Sequence, residues 1–214
     1  MDSPVLLLVL NLAGTFVFGL SGGLAAVRAR LDLVGVIVLA TVVGLAGGVV
    51  RDVLIGTPPA TFRDWRYLAA AAAGGLVCNV AGRVLERFER SILVFDALGL
   101  GLVCVTGATK GLQFGLGPVQ AILLGATSGI GGGMLRDLLL RQVPTVLREG
   151  LYAIPALLGA TVLVVAQSLG DTGPVYAVVG AVVCVVVRLV GLKYDVNLPA
   201  PASAPNPVEP GTGG

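Results

Sequence analysis

The stretch Gly44-Leu45-Ala46-Gly47-Gly48-Val49-Val50-Arg51-Asp52 places glycines, and then an adjacent Arg-Asp pair, inside a long apolar run. It occurs twice: 85 positions later stands Gly129-Ile130-Gly131-Gly132-Gly133-Met134-Leu135-Arg136-Asp137. The match at that offset extends beyond the glycines. Arg63-Asp64 falls on Arg148-Glu149, Tyr67 on Tyr152, Pro59 on Pro144, and Ser21-Gly22 on Thr106-Gly107. A duplicated interruption of two hydrophobic segments is a signature of transport sites at the interface of internal repeats.

Composition sets the solvent. With 56% hydrophobic residues, 12% charged residues and a mean hydropathy of +0.95, the 214 residues carry too few charges to cover a water-soluble globule. The net charge of +2 is spread along the chain without a basic stripe, which argues against a nucleic-acid partner. There is no histidine, hence no ordinary proton shuttle. Cys78, Cys104 and Cys184 sit singly in apolar runs and read as small packing residues, so neither a metal nor a cofactor is expected and the chain is not an enzyme.

Seven apolar spans follow in order, near residues 5–27, 34–55, 67–85, 92–111, 118–140, 151–169 and 175–192. A helix needs roughly 20 apolar residues to cross the hydrocarbon core. The expected fold class is therefore an all-α membrane protein with seven transmembrane helices. Residues 1–85 form a first three-helix repeat, 86–91 a polar connector, 92–170 a second repeat, 175–193 the seventh helix and 198–214 a disordered Pro/Ala/Gly tail. Three crossings per repeat is an odd number, so the second copy is inverted relative to the first. With the N-terminus outside, Arg28, Arg30, Arg83, Arg87, Arg90, Arg141, Arg148, Arg188 and Lys193 fall on the cytoplasmic side and only Arg63, Arg66 and Lys110 on the outer side. That asymmetry fits the positive-inside rule and places the C-terminus in the cytoplasm.

Glycine weakens a membrane helix, and carbonyls freed by a break must find protein, water or an ion. Gly44, Gly47 and Gly48 in the second span and Gly129, Gly131, Gly132 and Gly133 in the fifth are thus candidate kinks lining a path near the midplane. The alternative is close helix packing, since Gly44-x-x-x-Gly48 and Gly129-x-x-x-Gly133 also fit small-residue contact seams. Arg51, Asp52, Arg136 and Asp137, with Asp96, are candidates for pore-mouth charges or structural ion pairs. Adjacent helical residues point about 100° apart, so neither Arg is expected to pair with its own neighbouring Asp. Lys110 is either an interface anchor or a movable cation that gates the path. Thr41, Thr127, Ser128, Ser21, Thr106 and Asn11 are the sparse hydroxyl and amide groups able to line it, unless they bond back to their own helices.

These residues resemble a known family. Phe18-x-x-Ser21-Gly22-x-Leu24-Ala25, Gly47-Gly48-x-x-Arg51-Asp52-Val53-Leu54-x-Gly56-x-x-Pro59, Phe95-Asp96-Ala97-Leu98-Gly99-Leu100, Lys110 and Gly131-Gly132-Gly133-x-x-Arg136-Asp137 are similar to the prokaryotic trimeric intracellular cation channels, a family also labelled bacterial glycine transporter domain. The resemblance implies a homotrimer with one pore per protomer, second and fifth helices kinked at their glycines, and conduction of K⁺ and, less selectively, Na⁺. In animal relatives a Lys-Glu-Val motif on the fourth helix binds phosphoinositide. Here its counterpart is Lys110-Gly111-Leu112, without the glutamate. The expected function is a passive cation channel of a bacterial plasma membrane, whose partners are permeant K⁺ and Na⁺, membrane lipids and its own trimer mates. The rival is a secondary transporter of glycine or a similar small solute, built on the same inverted repeats.

Overall fold

The computed structural model describes residues 4–85, 91–148, 151–171, 173–194 and 196, so the expected tail and nearly all of the connector lie outside the described residues. The chain is all-helical in that range. The helices are α1 (Pro4–Arg28), α2 (Leu33–Leu54), α3 (Trp65–Leu85), α4 (Ser91–Gln113), α5 (Pro118–Leu139), the four-residue α6 (Thr145–Arg148), α7 (Ala153–Ser168) and α8 (Val175–Tyr194), with a 3₁₀ turn at Ala60–Phe62. α1, α2, α4 and α8 are long and apolar enough to cross a membrane. The sixth expected span, 151–169, holds the 16-residue α7, and the four-residue α6 precedes it.

The helix ends follow local chemistry. Asp32 caps α2, its carboxylate accepting the Gly35 N–H at 2.7 Å, and Pro118 opens α5 where its missing donor costs nothing. Left-handed residues close five helices just past their ends: Arg30 (φ 57°) after α1, Gly56 (φ 71°) after α2, Gly115 (φ 79°) after α4, Arg141 (φ 57°) after α5 and Gly170 (φ 91°) after α7.

The duplication is visible in the backbone. α2 and α5 begin and end at matching positions of the 85-residue offset, α1 and α4 end at matching positions, and four of the five left-handed residues form two matching pairs, 30 with 115 and 56 with 141. α1 packs on α2 and α3, and α4 on α5 and α7. The two groups meet through α1 against α4 and α2 against α5, and α8 lies on α4 and α7.

Helical backbone runs through both clusters, and the glycines admit neighbouring backbones. A Cβ at Gly44 would lie 2.8 Å from the Thr15 carbonyl, one at Gly131 3.2 Å from Gly47 Cα, and one at Gly47 would collide with the Ser128 carbonyl oxygen. Without a hydrophobic drive between helices in lipid, such close approach supplies the dispersion contacts that hold them together.

Candidate functional site

Two clusters of buried charge flank the α2–α5 crossing. In the first, Arg51 and Asp52 are 2% and 0% exposed. Arg51 Nε donates to Asp52 Oδ1 at 2.7 Å, and Arg51 Nη1 donates to Asn11 Oδ1 at 2.9 Å. Asp52 Oδ2 accepts the N–H of Ala60 at 2.8 Å, the first residue of the 3₁₀ turn, so the carboxylate also pins the proline loop to the end of α2. Lys110 Nζ reaches across from α4 to donate to Asp52 Oδ1 at 2.7 Å.

The second cluster repeats this pattern. Arg136 Nε donates to Asp137 Oδ1 at 2.9 Å, Arg136 Nη1 donates to Asp96 Oδ1 at 2.6 Å, and Asp137 Oδ2 accepts the Thr145 N–H at 2.8 Å, where α6 begins. Asp96 stands where the first cluster has Asn11, and Thr145 where it has Ala60. Two additions distinguish the second copy: the Thr145 hydroxyl donates to Asp137 Oδ2 at 2.8 Å, and Arg136 Nη1 donates to Ser21 Oγ at 2.7 Å.

Each Arg therefore pairs with its own neighbouring Asp, contrary to expectation. The 100° between adjacent Cβ directions describes where side chains start. The three-methylene stem of arginine lets the guanidinium fold back along the helix end, where desolvation makes an ion pair the only tolerable arrangement.

The other expected residues distribute as follows. Ser21 and Asn11 belong to the charge clusters. Ser128 is buried, and its hydroxyl donates to the Gly47 carbonyl at 3.0 Å, fastening α5 to α2. The Thr106 hydroxyl bonds back to the Val103 carbonyl of its own helix. Thr127 is exposed and, with Gly131, Ala46 and Met134, lines an apolar groove of about 370 Å³ between α2 and α5. Thr41 is half-buried on α2. Gly132 admits the Val43 carbonyl and the Phe18 ring, Gly129 admits Leu100, and Gly133 admits the Tyr152 hydroxyl beside Asp96. Gly48, by contrast, faces open space, with only Arg51 Nη2 within 3.9 Å of a Cβ placed there.

Sequence reasoning missed Tyr152 and Arg188. Arg188, 1% exposed in α8, stacks 4.6 Å from the Tyr152 ring centroid and donates to the Leu151 carbonyl at 3.0 Å. The position of Tyr152 opposite Tyr67 in the repeat was a signal. For Arg188 no signal existed, since α8 has no counterpart in the other half.

With this geometry in view, the comparisons are decisive. The sequence pattern of the family described as glycine transporter matches residues 8–83 and again residues 93–168, once per half. The chain belongs to this family, that of the trimeric intracellular cation channels. It is 51% identical over 200 residues to a UPF0126 membrane protein of Streptomyces coelicolor, covering 92% of each chain. It is 32% identical to the inner membrane protein YadS of Escherichia coli, covering 89% of this chain and 93% of that one. Among solved structures, its fold is similar to a trimeric intracellular cation channel orthologue from Rhodobacter sphaeroides, with TM-score 0.84 and 33% identity over 89% of this chain and 98% of the other. A second prokaryotic channel of this type matches with TM-score 0.84 and 29% identity, covering 92% of this chain and all of the other.

Proposed function

We propose that the protein is a monovalent cation channel of a bacterial inner membrane, K⁺-preferring and Na⁺-permeable, with one pore in each protomer of a homotrimer. The observation that carries this reading is the similarity, over nine-tenths of the chain, to structures described as cation channels. In this reading α1, α2, α3, α4, α5, α7 and α8 are the seven crossings, and residues 1–85 and 92–170 are inverted repeats, as the twofold family match and the repeated hydrogen bonds support. α2 and α5 bend at their glycines without losing the helix. The clusters at Arg51-Asp52 and Arg136-Asp137 then mark opposite mouths, the second facing the cytoplasm with the C-terminus.

Such a path needs no chemistry. Its selectivity for cations comes from carbonyl and hydroxyl dipoles and from the second cluster, where Asp96 and Asp137 share the single guanidinium of Arg136. The open space at Gly48 and the partial exposure of the Lys110 side chain, 19%, support a water-accessible route past the first cluster. Lys110 closes that mouth: its ammonium holds Asp52 and presents a positive charge to an entering cation. Replacing it by Met should raise K⁺ efflux from loaded liposomes several-fold while the protein still assembles. Unchanged efflux would reduce Lys110 to an interface anchor.

A further inference from the structure

All three cysteines are free and buried, as small packing residues should be. Cys78 on α3 keeps that reading, its thiol donating to the Leu20 carbonyl at 3.3 Å. Cys104 and Cys184 do more than fill space. They come from α4 and α8, each near the middle of its helix and each 0% exposed, and their thiols hydrogen-bond to each other. Cys104 also donates to the Gly101 carbonyl at 3.3 Å, which leaves its sulfur as the acceptor of the Cys184 S–H. A glycine of a third helix makes the meeting possible. A Cβ at Gly159 of α7 would lie 2.8 Å from Cys184 Cβ and 3.3 Å from Cys104 Sγ, so both cysteines border one point of the α7 backbone. Val105, Ala160, Leu163 and Ala181 belong to the same buried apolar cluster.

A thiol is a weak donor and its sulfur a weak acceptor, so the contact adds little to packing. What it provides is two soft, polarisable ligands held side by side from two helices. No set of three or more His, Cys, Asp or Glu side chains placed to hold a metal gathers among the described residues. The pair therefore suits the soft ions that are satisfied by two thiolates in line. Burial chooses among these. Hg(II) between two thiolates is neutral, whereas Cu(I) or Ag(I) in the same place leaves a net negative charge in an apolar core, which such surroundings penalise.

We propose that Cys104 and Cys184 form a two-coordinate site for a soft divalent ion, Hg(II), which bridges α4 and α8. The ion arrives as HgCl₂, an uncharged molecule that crosses hydrocarbon. Each Hg–Cl bond is exchanged for an Hg–S bond and each thiol proton leaves with chloride as HCl, so charge balances and nothing is oxidised or reduced. The bridge fastens α8, the helix without a counterpart in the repeat, to the second half of the molecule. It does not depend on ion conduction and stands whether the protein is a channel or a carrier.

The test uses the purified full-length protein in detergent, with its thermal midpoint followed as HgCl₂ or methylmercury chloride is added. Both reagents are uncharged and attack thiols, but methylmercury has a single exchangeable position and cannot bridge. Excess HgCl₂ should raise the midpoint by about 5–10 °C, as a tightly held ligand does for a protein of this size. Methylmercury chloride should not raise it. Cys78→Ala should keep the whole response, and Cys104→Ala and Cys184→Ala should each lose it. Every shift is taken against the variant's own metal-free midpoint, so a variant that is only less stable is not mistaken for one without the site. Mass spectrometry of HgCl₂-treated Cys78→Ala should find one mercury per chain and no chloride. The absence of any rise in the parent, an equal rise with methylmercury, a rise that survives Cys184→Ala, or mercury still carrying chloride would overturn the inference.

Discussion

Replacing Arg136 by Met should destabilise the protein by about 3–5 kcal/mol, the range found when one partner of a buried ion pair is removed. The guanidinium is the common partner of Asp96 and Asp137 and also donates to Ser21, so its loss leaves two carboxylates from two helices buried together. Adding Asp96→Asn should recover part of the loss, because it removes one of the stranded charges and restores the polarity that Asn11 gives the first cluster. Thermal unfolding in detergent of the two single variants and the double variant measures the coupling. Additive effects would show that the second cluster is not the unit described.

Gly47→Ala is the second large effect expected. A methyl group there collides with the Ser128 carbonyl oxygen, a backbone atom that cannot rotate away, so α2 and α5 must separate. The Ser128 to Gly47 hydrogen bond weakens with them. Overpacking of this kind costs about 1–3 kcal/mol, and because the contact joins the two halves, K⁺ flux should fall as well. Gly48→Ala is the contrast one residue away. Its methyl group meets nothing closer than Arg51 Nη2 at 3.9 Å, and alanine favours the helix by about 0.5–1 kcal/mol. Equal effects at the two positions, read by the same thermal assay, would mean that the α2–α5 crossing is not as close as described.

Much of the fold was legible because hydrophobic length, turn residues and the 85-residue repeat are all local signals. Asn11 and Asp96 could be recognised as equivalent before either had a partner. The glycines were harder to read. A glycine that admits a break and one that admits a neighbouring backbone look alike in sequence, and only the approach of Ser128 to Gly47 and of Thr15 to Gly44 separates them. The charge clusters hid for a different reason. Lys110 reaches Asp52 across 58 positions, and Arg188 reaches Tyr152 from a helix outside the repeat, so no spacing rule could join them. The pairing of Arg51 with Asp52 went against a rule about Cβ directions that holds for short side chains and fails for a long one at a helix end.

Gly48 and Gly133 show how far the two halves have diverged around a shared backbone. Each is third before its Arg-Asp pair, yet Gly133 is closed by the Tyr152 hydroxyl and Asp96, while Gly48 is open. The difference follows from Asn11 standing in for Asp96 and from α8, which supports only the second cluster. The protein thus has one cluster in which Arg136 ties Asp137, Asp96 and Ser21 together, with the Tyr152 ring packed against Arg188 beside it, and another whose extra partner is a single long lysine. Lysine is flexible and strongly hydrated, and so suits a contact that opens and closes.

The central claim is that these helices enclose a path for ions and not an alternating substrate site. Recording the purified protein in a planar bilayer with KCl on both sides and no other solute tests it most directly. Discrete single-channel current steps, smaller when Na⁺ replaces K⁺, are the predicted result. Electrically silent bilayers, together with saturable glycine uptake into liposomes holding the same preparation, would contradict it.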